Sequence, residues 1–523
     1  MLIDGRTVPD GSVLTADLCI VGSGAAGITI ARELASSTLD VVLLESGAFE
    51  PDTRTQNLNK GRFVGQPVPA ALEATRMRYF GGTTNHWAGN CYPLDPADFE
   101  SKAYIARSGW PFSFEDLYPY YLRAADTCQI GPFRFDWEFG HEHGALAPSE
   151  LDSHKFRGIA RQITEARFGE VYRTTLVDAG NVRVFLWSNV VELLTASDDV
   201  QRIDAVQVAT LAGPRFQVKA TAVVLATGGI EVPRVLLASR SRVPKGLGNG
   251  HDLVGRCFAD HPNVLVSLAL LRSDVPYHTA KTTLLDSAGT PHPVGIAMWL
   301  GLRREALRAN ELLSAQVSTP DPALVKAVGI TKPEWPALFE RSVQIEALLG
   351  ASGAPTTTPR LFLVNMEQEP NLASRVKLSR KSDALGVPTV NVDWHVTRDD
   401  RVRIFHTARL FAEQFASAGL GRARVVLGGY EAGSELHTDE KIDDAALDFP
   451  IGSNMHHMGT ARMHHSPRHG VVDENCRVHE VKNLYIGGSA VFPTYGASPP
   501  TMTIVALATR LADHLRTKVL ATR

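Results

Sequence analysis

Leu18 to Val21 is a short apolar run of the kind presented by a strand buried on both faces. Gly22-Ser23-Gly24-Ala25-Ala26-Gly27 follows it, and Ile28 to Leu34 then has the apolar positions of a helix. Asp40-Val41-Val42-Leu43-Leu44-Glu45 reads as a second buried strand ending in an acid, so the opening segment predicts a βαβ unit. A further strand is expected over 222–226, ending in Thr227-Gly228-Gly229, with a helix over 234–238 after Pro233. Residues 501–519 carry apolar positions at helical spacing and predict a closing helix. Runs at 296–302 and 361–364, and alternation over 388–394, predict strands. Residues 111–121, 130–150 and 319–360 read as loop-rich.

The glycine turn carries the first chemistry. Gly22 permits the tight turn, Gly24 lets the backbone approach a pyrophosphate, and Gly27 lets helix and strand pack closely. The helix N-terminus offers free N–H groups and a positive dipole end to phosphate. Glu45 stands about 20 residues further on, where an acid accepts from ribose hydroxyls. Strand before, helix after and acid at that distance point to a dinucleotide. The extreme N-terminal position, with a second Ala-Thr-Gly-Gly turn after a later strand, favours a flavin over a nicotinamide.

Composition narrows the partners. The chain has 523 residues, several times the roughly 150 of one domain, with 44% apolar and 21% charged residues, which excludes global disorder. Lys and Arg total 53 against 56 Asp and Glu, a net charge of −3 with a pI near 6.7. That balance gives no electrostatic footprint for nucleic acid or an anionic membrane surface. The five cysteines are odd in number and widely spread, so reduced, buried thiols are expected rather than disulfides. The first ten residues show no basic region leading into an apolar run. No uninterrupted apolar run of about 18 residues occurs, so neither membrane insertion nor export is expected, and the expected location is cytoplasmic.

Several histidines cluster near the C-terminus: His456, His457, His464, His465 and His469. Their spacing among Gly, Ser and Pro aims them at no single centre, so no metal site is expected.

Further segments complete a pattern: Arg78-Tyr79-Phe80-Gly81-Gly82-Thr83-Thr84-Asn85-His86-Trp87-Ala88-Gly89, residues 225–234 (L-A-T-G-G-I-E-V-P-R), residues 255–262 (G-R-C-F-A-D-H-P), residues 367–376 (E-Q-E-P-N-L-A-S-R-V), residues 456–463 (H-H-M-G-T-A-R-M) and residues 482–494 (K-N-L-Y-I-G-G-S-A-V-F-P-T). With the N-terminal turn, these make the chain resemble the glucose–methanol–choline (GMC) oxidoreductases along nearly its whole length. It is most similar to the sugar-oxidising branch, with pyranose oxidase and the fructose or gluconate dehydrogenase large subunits.

The resemblance implies an α/β fold with a discontinuous, Rossmann-type FAD-binding domain and a mixed-sheet substrate-binding domain. The expected division assigns 1–100, 155–260 and 450–523 to the first, and 101–154 and 261–449 to the second with its lid segments. Cofactor contacts are expected from Gly22, Ser23, Gly24, Ala25, Ala26, Gly27, Glu45 and Ser46. They are also expected from Gly81, Gly82, Thr83, Thr84, Asn85, His86 and Trp87, then Thr227, Gly228, Gly488, Ser489 and Thr501. For His86 two readings stand open: covalent attachment of the flavin, or a hydrogen-bonding ring beside it.

His456 matches the family histidine that faces the flavin. A neutral imidazole can take the hydroxyl proton while hydride leaves carbon. His457 is expected to pack or hydrogen-bond nearby. The sequence departs from the family's pattern at Pro499, which stands where that branch has Asn or His. Ser498, Tyr495 or His457 are the candidate replacements. Tyr79, Trp110 and Phe112 could stack on a sugar ring or belong to the core.

The implied function is oxidation of a hydroxyl of a sugar, glycoside or polyol, with oxygen, a quinone or a redox protein as electron acceptor. Pro499 keeps two alternatives open: a biosynthetic flavoenzyme acting on a non-sugar scaffold, and a flavin-binding protein without turnover.

Overall fold

The computed structural model describes residues 1–68, 70–272, 279–318, 357–425 and 447–521. Its first sheet is built around Val13–Val21, parallel to Val41–Leu44 on one side and to Arg215–Leu225 on the other. Val182–Leu186 and Leu2–Asp4 extend it in parallel, and Leu484–Ile486 joins from near the far end of the chain. Ile203–Ala209 and Asn189–Thr195 add an antiparallel margin. Leu18 to Ile20 and Val41 to Leu43 are fully buried. Strands covered on both faces lose their polar alternation, which is why they were legible as apolar runs.

The expected opening helix is Ala25–Glu33, and the closing one is Thr501–His514 with a π-helical turn, Leu515–Val519. These two helices pack together, and Phe114–Thr127 packs on the closing helix. Phe114–Thr127 lies in a stretch expected to be loop-rich. It starts at a capping box between Ser113 and Asp116 and carries Pro119 within it, which disguised the pattern. Similarly, Gly228–Ala238 begins before Pro233 and holds that proline inside, since burial of its residues from Gly229 to Leu236 outweighs one lost backbone bond. Within 130–150 there is one short helix, Trp137–Glu142. Residues 319–356 lie outside the described ones.

The second sheet runs in the order Gly421–Val425, Pro262–Arg272, Thr357–Met366, Ala315–Ser318, Pro291–Leu302, Phe156–Thr164, Asn90–Cys91. Phe156–Thr164 pairs along its length with Pro291–Leu302, so it belongs to this sheet, although the sequence division grouped it with the nucleotide domain. Short apolar stretches do not reveal which sheet they join; register partners do.

This sheet has two chemically distinct faces. Phe156, Ala160, Ile296, Met298, Leu300, Val317, Phe362 and Val364 form one apolar cluster with Ile404, Ala408, Phe411 and Phe415. The last four line one side of Arg398–Ser417, a helix the sequence reading did not anticipate, capped by Thr397 and Asp400. The opposite face carries Asn263, Asn365 and Gln316 in register across three strands. A small third sheet, Arg375–Ser382, Pro388–Trp394 and Gly61–Gly65, includes the expected strand at 388–394.

All five cysteines are free and buried. No described helix is long and apolar enough to cross a membrane.

Candidate active site

The Gly22–Gly27 turn is tight for stated reasons. Gly22 has φ +95°, and a Cβ there would lie 2.9 Å from the Ala226 carbonyl oxygen. A Cβ on Gly27 would come within 1.8 Å of the Gly22 carbonyl, so this position allows close helix packing only as glycine. Gly24 is different: a Cβ there meets nothing within 4 Å. Gly24 is also the N-cap of Ala25–Glu33 and supplies no side-chain cap, so the first-turn N–H groups have no side-chain acceptor. Glu45 is held at the strand end by Ser23, whose N and Oγ donate at 3.0 and 2.6 Å, and by the Gly47 N–H at 2.9 Å.

Distant stretches converge on this turn. The Gly81 N–H donates to the Ser23 carbonyl at 2.9 Å, and a Cβ on Gly82 would sit 3.3 Å from the Gly24 Cα. The loop itself is braced by Thr84 donating to the Gly81 carbonyl and by Asn85 bridging the Phe80 carbonyl and the Gly169 N–H. Gly487 donates to the Leu225 carbonyl, which brings Gly488 and Ser489 to the same strand end as Thr227 and Gly228. Thr227 Oγ1 is buried with no partner, a polar atom left for a ligand. Thr501 opens the closing helix.

Glu231 anchors the framework. Burial pushes its carboxyl up, but Arg234, Arg78 and Arg76 together hold it well below the usual range. Arg76 and Arg78 lie 2.8 and 2.5 Å from it, which locks the segment leading into Gly81 against helix Gly228–Ala238.

Ser46 donates to Asn189 and accepts from Arg78, so its hydroxyl is spent on the protein. Trp87 donates its indole N–H to the Ala166 carbonyl at 2.9 Å. Exposed His86 has its Nε2 2.6 Å from the Tyr79 hydroxyl. Trp110 and Phe112 belong to an aromatic cluster with Phe99, the core placement that was the alternative to stacking on a sugar.

A local irregularity delivers His456. Ser453 pairs with Pro262 and Met458 pairs with Ala259. Between those two registers, residues 454–457 must pass residues 260–261, so the longer segment bulges outward. Met455 takes φ +59° to make the turn. Asp260, buried at the centre, fastens it: its carboxylate accepts from the N–H groups of His261, Met455 and His456 at 2.7, 3.1 and 2.9 Å, and from the Ser453 hydroxyl.

The bulge brings the rings of His456 and His261 together, Nδ1 to Nδ1 at 3.0 Å and nearly perpendicular. Burial lowers the His456 pKa well below its ordinary value, helped by His261, His457 and Arg161. His261 is lowered to about 4, again by burial first. His261 was not singled out from the sequence, although it lies in the A-D-H-P segment that helped carry the resemblance.

Two of the expected substitutes for the missing Asn, Ser498 and Tyr495, are committed elsewhere. Ser498 donates to the Pro93 carbonyl at 2.8 Å and accepts from Gln316 at 3.3 Å. Tyr495 donates to the Cys257 carbonyl at 2.8 Å. His457 packs on Phe258 with its Nε2 buried and unpartnered, and its pKa is lowered to about 3 by burial. The polar ring within hydrogen-bond reach of His456 is His261, the residue before strand Pro262–Arg272 of the second sheet. Among the described residues, no His, Cys, Asp and Glu cluster could hold a metal ion.

The cradle fits FAD: an open face at Gly24, uncapped helix N–H groups, Glu45 at the strand end and the orphaned Thr227 hydroxyl. Comparison with known proteins agrees. The family model described as GMC oxidoreductase matches residues 370–508. The chain is 24% identical to the fructose dehydrogenase large subunit of Gluconobacter japonicus, over 96% of this chain and 98% of that one. It is also 24% identical to the paromamine 6'-oxidase of Streptomyces fradiae, over 95% of this chain and 90% of the other. Its fold matches that of pyridoxine 4-oxidase from Mesorbium loti with a TM-score of 0.59 at 18% identity, over 96% of this chain and 99% of that one. Matched region, chain-long relatives and shared fold lead to one conclusion: residues 370–508 match the GMC oxidoreductase model, the chain is similar to oxidases and dehydrogenases along nearly its whole length, and it is an FAD-dependent oxidoreductase.

Proposed function

We propose that this enzyme oxidises a hydroxyl of a sugar, glycoside or polyol to a carbonyl, with His456 as the base. The observation that carries the reading is the His456–His261 pair, fixed by Asp260 and tied to the nucleotide cradle next door through the His457 carbonyl, which accepts from the Ser489 hydroxyl. The relatives' names, a fructose dehydrogenase and a paromamine oxidase, supply the substrate class. Bound FAD supplies the acceptor for the hydride that leaves the carbinol carbon.

The tautomers assign the roles. Only one proton can lie between the two Nδ1 atoms. Placed on His456, it leaves the His456 Nε2 lone pair free to accept the hydroxyl proton. His261 then carries its proton on Nε2, a buried atom with no hydrogen-bond partner among the described residues. His261 is thus a positioning residue, and Asp260 holds the backbone of both rings.

The lowered pKa has a definite sign. A base must be neutral to act, so a pKa below the ordinary value keeps His456 competent to lower pH. The acid limb of the kcat/KM profile is expected below pH 6.5, the ordinary imidazole value. His261→Leu takes away the acceptor that supports the protonated His456 ring and leaves it in more apolar surroundings, so the limb should move further down while kcat drops about tenfold. His261→Asn, which can still accept from His456 Nδ1, should recover part of the rate. A limb that stays put in His261→Leu would refute the pairing.

With its Nε2 engaged by Tyr79, His86 is a hydrogen-bonding residue in this reading, and the flavin is held without a covalent bond. Acid precipitation should leave a colourless pellet and a yellow supernatant. A yellow pellet overturns this assignment.

Rapid anaerobic mixing with a panel of sugars, glycosides and polyols tests the function itself, since oxidation bleaches the flavin absorbance. Bleaching only by an unrelated metabolite would replace the substrate class, and no bleaching by any compound would argue against turnover. Oxygen uptake set against quinone or redox-protein reduction identifies the acceptor.

A further inference from the structure

Arg161 lies on strand Phe156–Thr164 and is 2% exposed. It is in register with Ala297, and its guanidinium stacks 3.5 Å from the ring centre of Trp299 on that same neighbouring strand. Among the described residues its hydrogen bonds go to one acceptor, the neutral Oε1 of Gln316. No described carboxylate pairs with it. Other buried or half-buried arginines are better satisfied: Arg76 and Arg78 have Glu231, Arg234 has Glu231 and Asp383, Arg157 has Asp95, and Arg462, which has no described carboxylate, has three main-chain carbonyls.

Its surroundings connect it to the site. Gln316 continues to Ser498, in the segment where Pro499 replaces the family's Asn. Across the sheet, Gln316 is in register with Asn365 and Asn365 with Asn263, and Asn454 bridges those two amides at 2.9 Å each. Asn454 is two residues from His456, and Asn263 two from His261. The charge of Arg161 is also felt at both imidazoles. Burial lowers the guanidinium pKa to about 9, which still leaves it cationic at neutral pH.

A buried cation without a counter-ion is costly, and a carboxylate matches guanidinium in both charge and fork geometry. We propose that Arg161 receives a carboxylate of the substrate, so that the hydroxyl oxidised at His456 belongs to an acidic sugar or polyol, a uronate or an aldonate. The proposal rests on the oxidation reading above and refines its substrate class. One fixed positive charge suits a monoanion better than a phosphate dianion.

The test uses matched pairs with the oxidised holoenzyme: D-gluconate against D-glucitol, D-glucuronate against D-glucose, and methyl glucuronide against methyl glucoside. Calorimetric titration reads binding without turnover. In at least one pair the acid is expected to bind about 10- to 100-fold more tightly, the span of one charge-assisted interaction. Arg161→Gln should abolish that preference by raising KM far more than it lowers kcat, and Arg161→Lys should restore part of it. Equal binding in all three pairs, a preference that survives in Arg161→Gln, or tighter binding of glucose 6-phosphate than of any acid would each overturn it. If Arg161→Gln does not fold, the wild-type comparison still decides. An acid that binds through Arg161 yet never bleaches the flavin would instead count against the oxidation reading alone.

Discussion

Replacing His456 by glutamine is expected to lower kcat/KM by about 10³-fold, within the 10²- to 10⁴-fold range of a general base. The FAD spectrum should be unchanged, because Asp260 binds residue 456 through its main-chain N–H, which glutamine keeps. Glutamine can still hydrogen-bond to a hydroxyl but cannot take its proton. Anaerobic bleaching rates measured with the best substrate of the panel provide the readout. His457→Phe is the matched control: that ring packs on Phe258, so a small change in rate is expected there. If His456→Gln retained a third of the wild-type rate while His457→Phe lost it, the assignment of the base would move by one residue.

Gly24→Val is expected to yield a folded but colourless protein, with FAD affinity reduced by about 10²-fold or more. The added side chain meets no protein atom near its Cβ, and the backbone there is extended, which valine adopts readily. The thermal midpoint of the apoprotein should therefore move little. In the proposed reading, the face that valine fills is the one where pyrophosphate would approach the helix N–H groups. Losing two such charge-assisted bonds costs about 3–6 kcal/mol. Gly27→Val makes the contrast, since its Cβ would collide with the Gly22 carbonyl, and there stability itself should fall. Flavin binding by Gly24→Val at wild-type affinity would show that the cradle lies elsewhere.

The two glycines illustrate how much was legible beforehand. Both were assigned roles from the spacing of one turn, and the helix, the strands beside it and the acid at Glu45 followed from apolar runs with glycine punctuation. Motifs at 81–89, 225–234 and 482–494 announced further contacts to the same cradle, and the backbone bonds from Gly81 to Ser23 and from Gly487 to Leu225 realise that convergence. Helices Phe114–Thr127 and Arg398–Ser417 were less visible. Internal proline and aromatic residues masked the first, and the second shows its apolar stripe only against the second sheet, which it covers.

Local sequence determined the nucleotide-binding unit, because a glycine's freedom and a strand's burial are written in a few consecutive residues. It also pointed to His456 through a motif. Only the tertiary structure decided what stands beside that histidine. Ser498, Tyr495 and His457 were reasonable candidates by proximity in the chain, yet their polar atoms turn to the Pro93 carbonyl, to the Cys257 carbonyl and into a buried pocket beside Phe258. The partner came instead from His261, brought in by a bulge between two strand registers far apart in sequence. Arg161 shows the same limit: a lone arginine in a strand is unremarkable until its neighbours are known, because having no counter-ion among the described residues is a property of the surrounding volume.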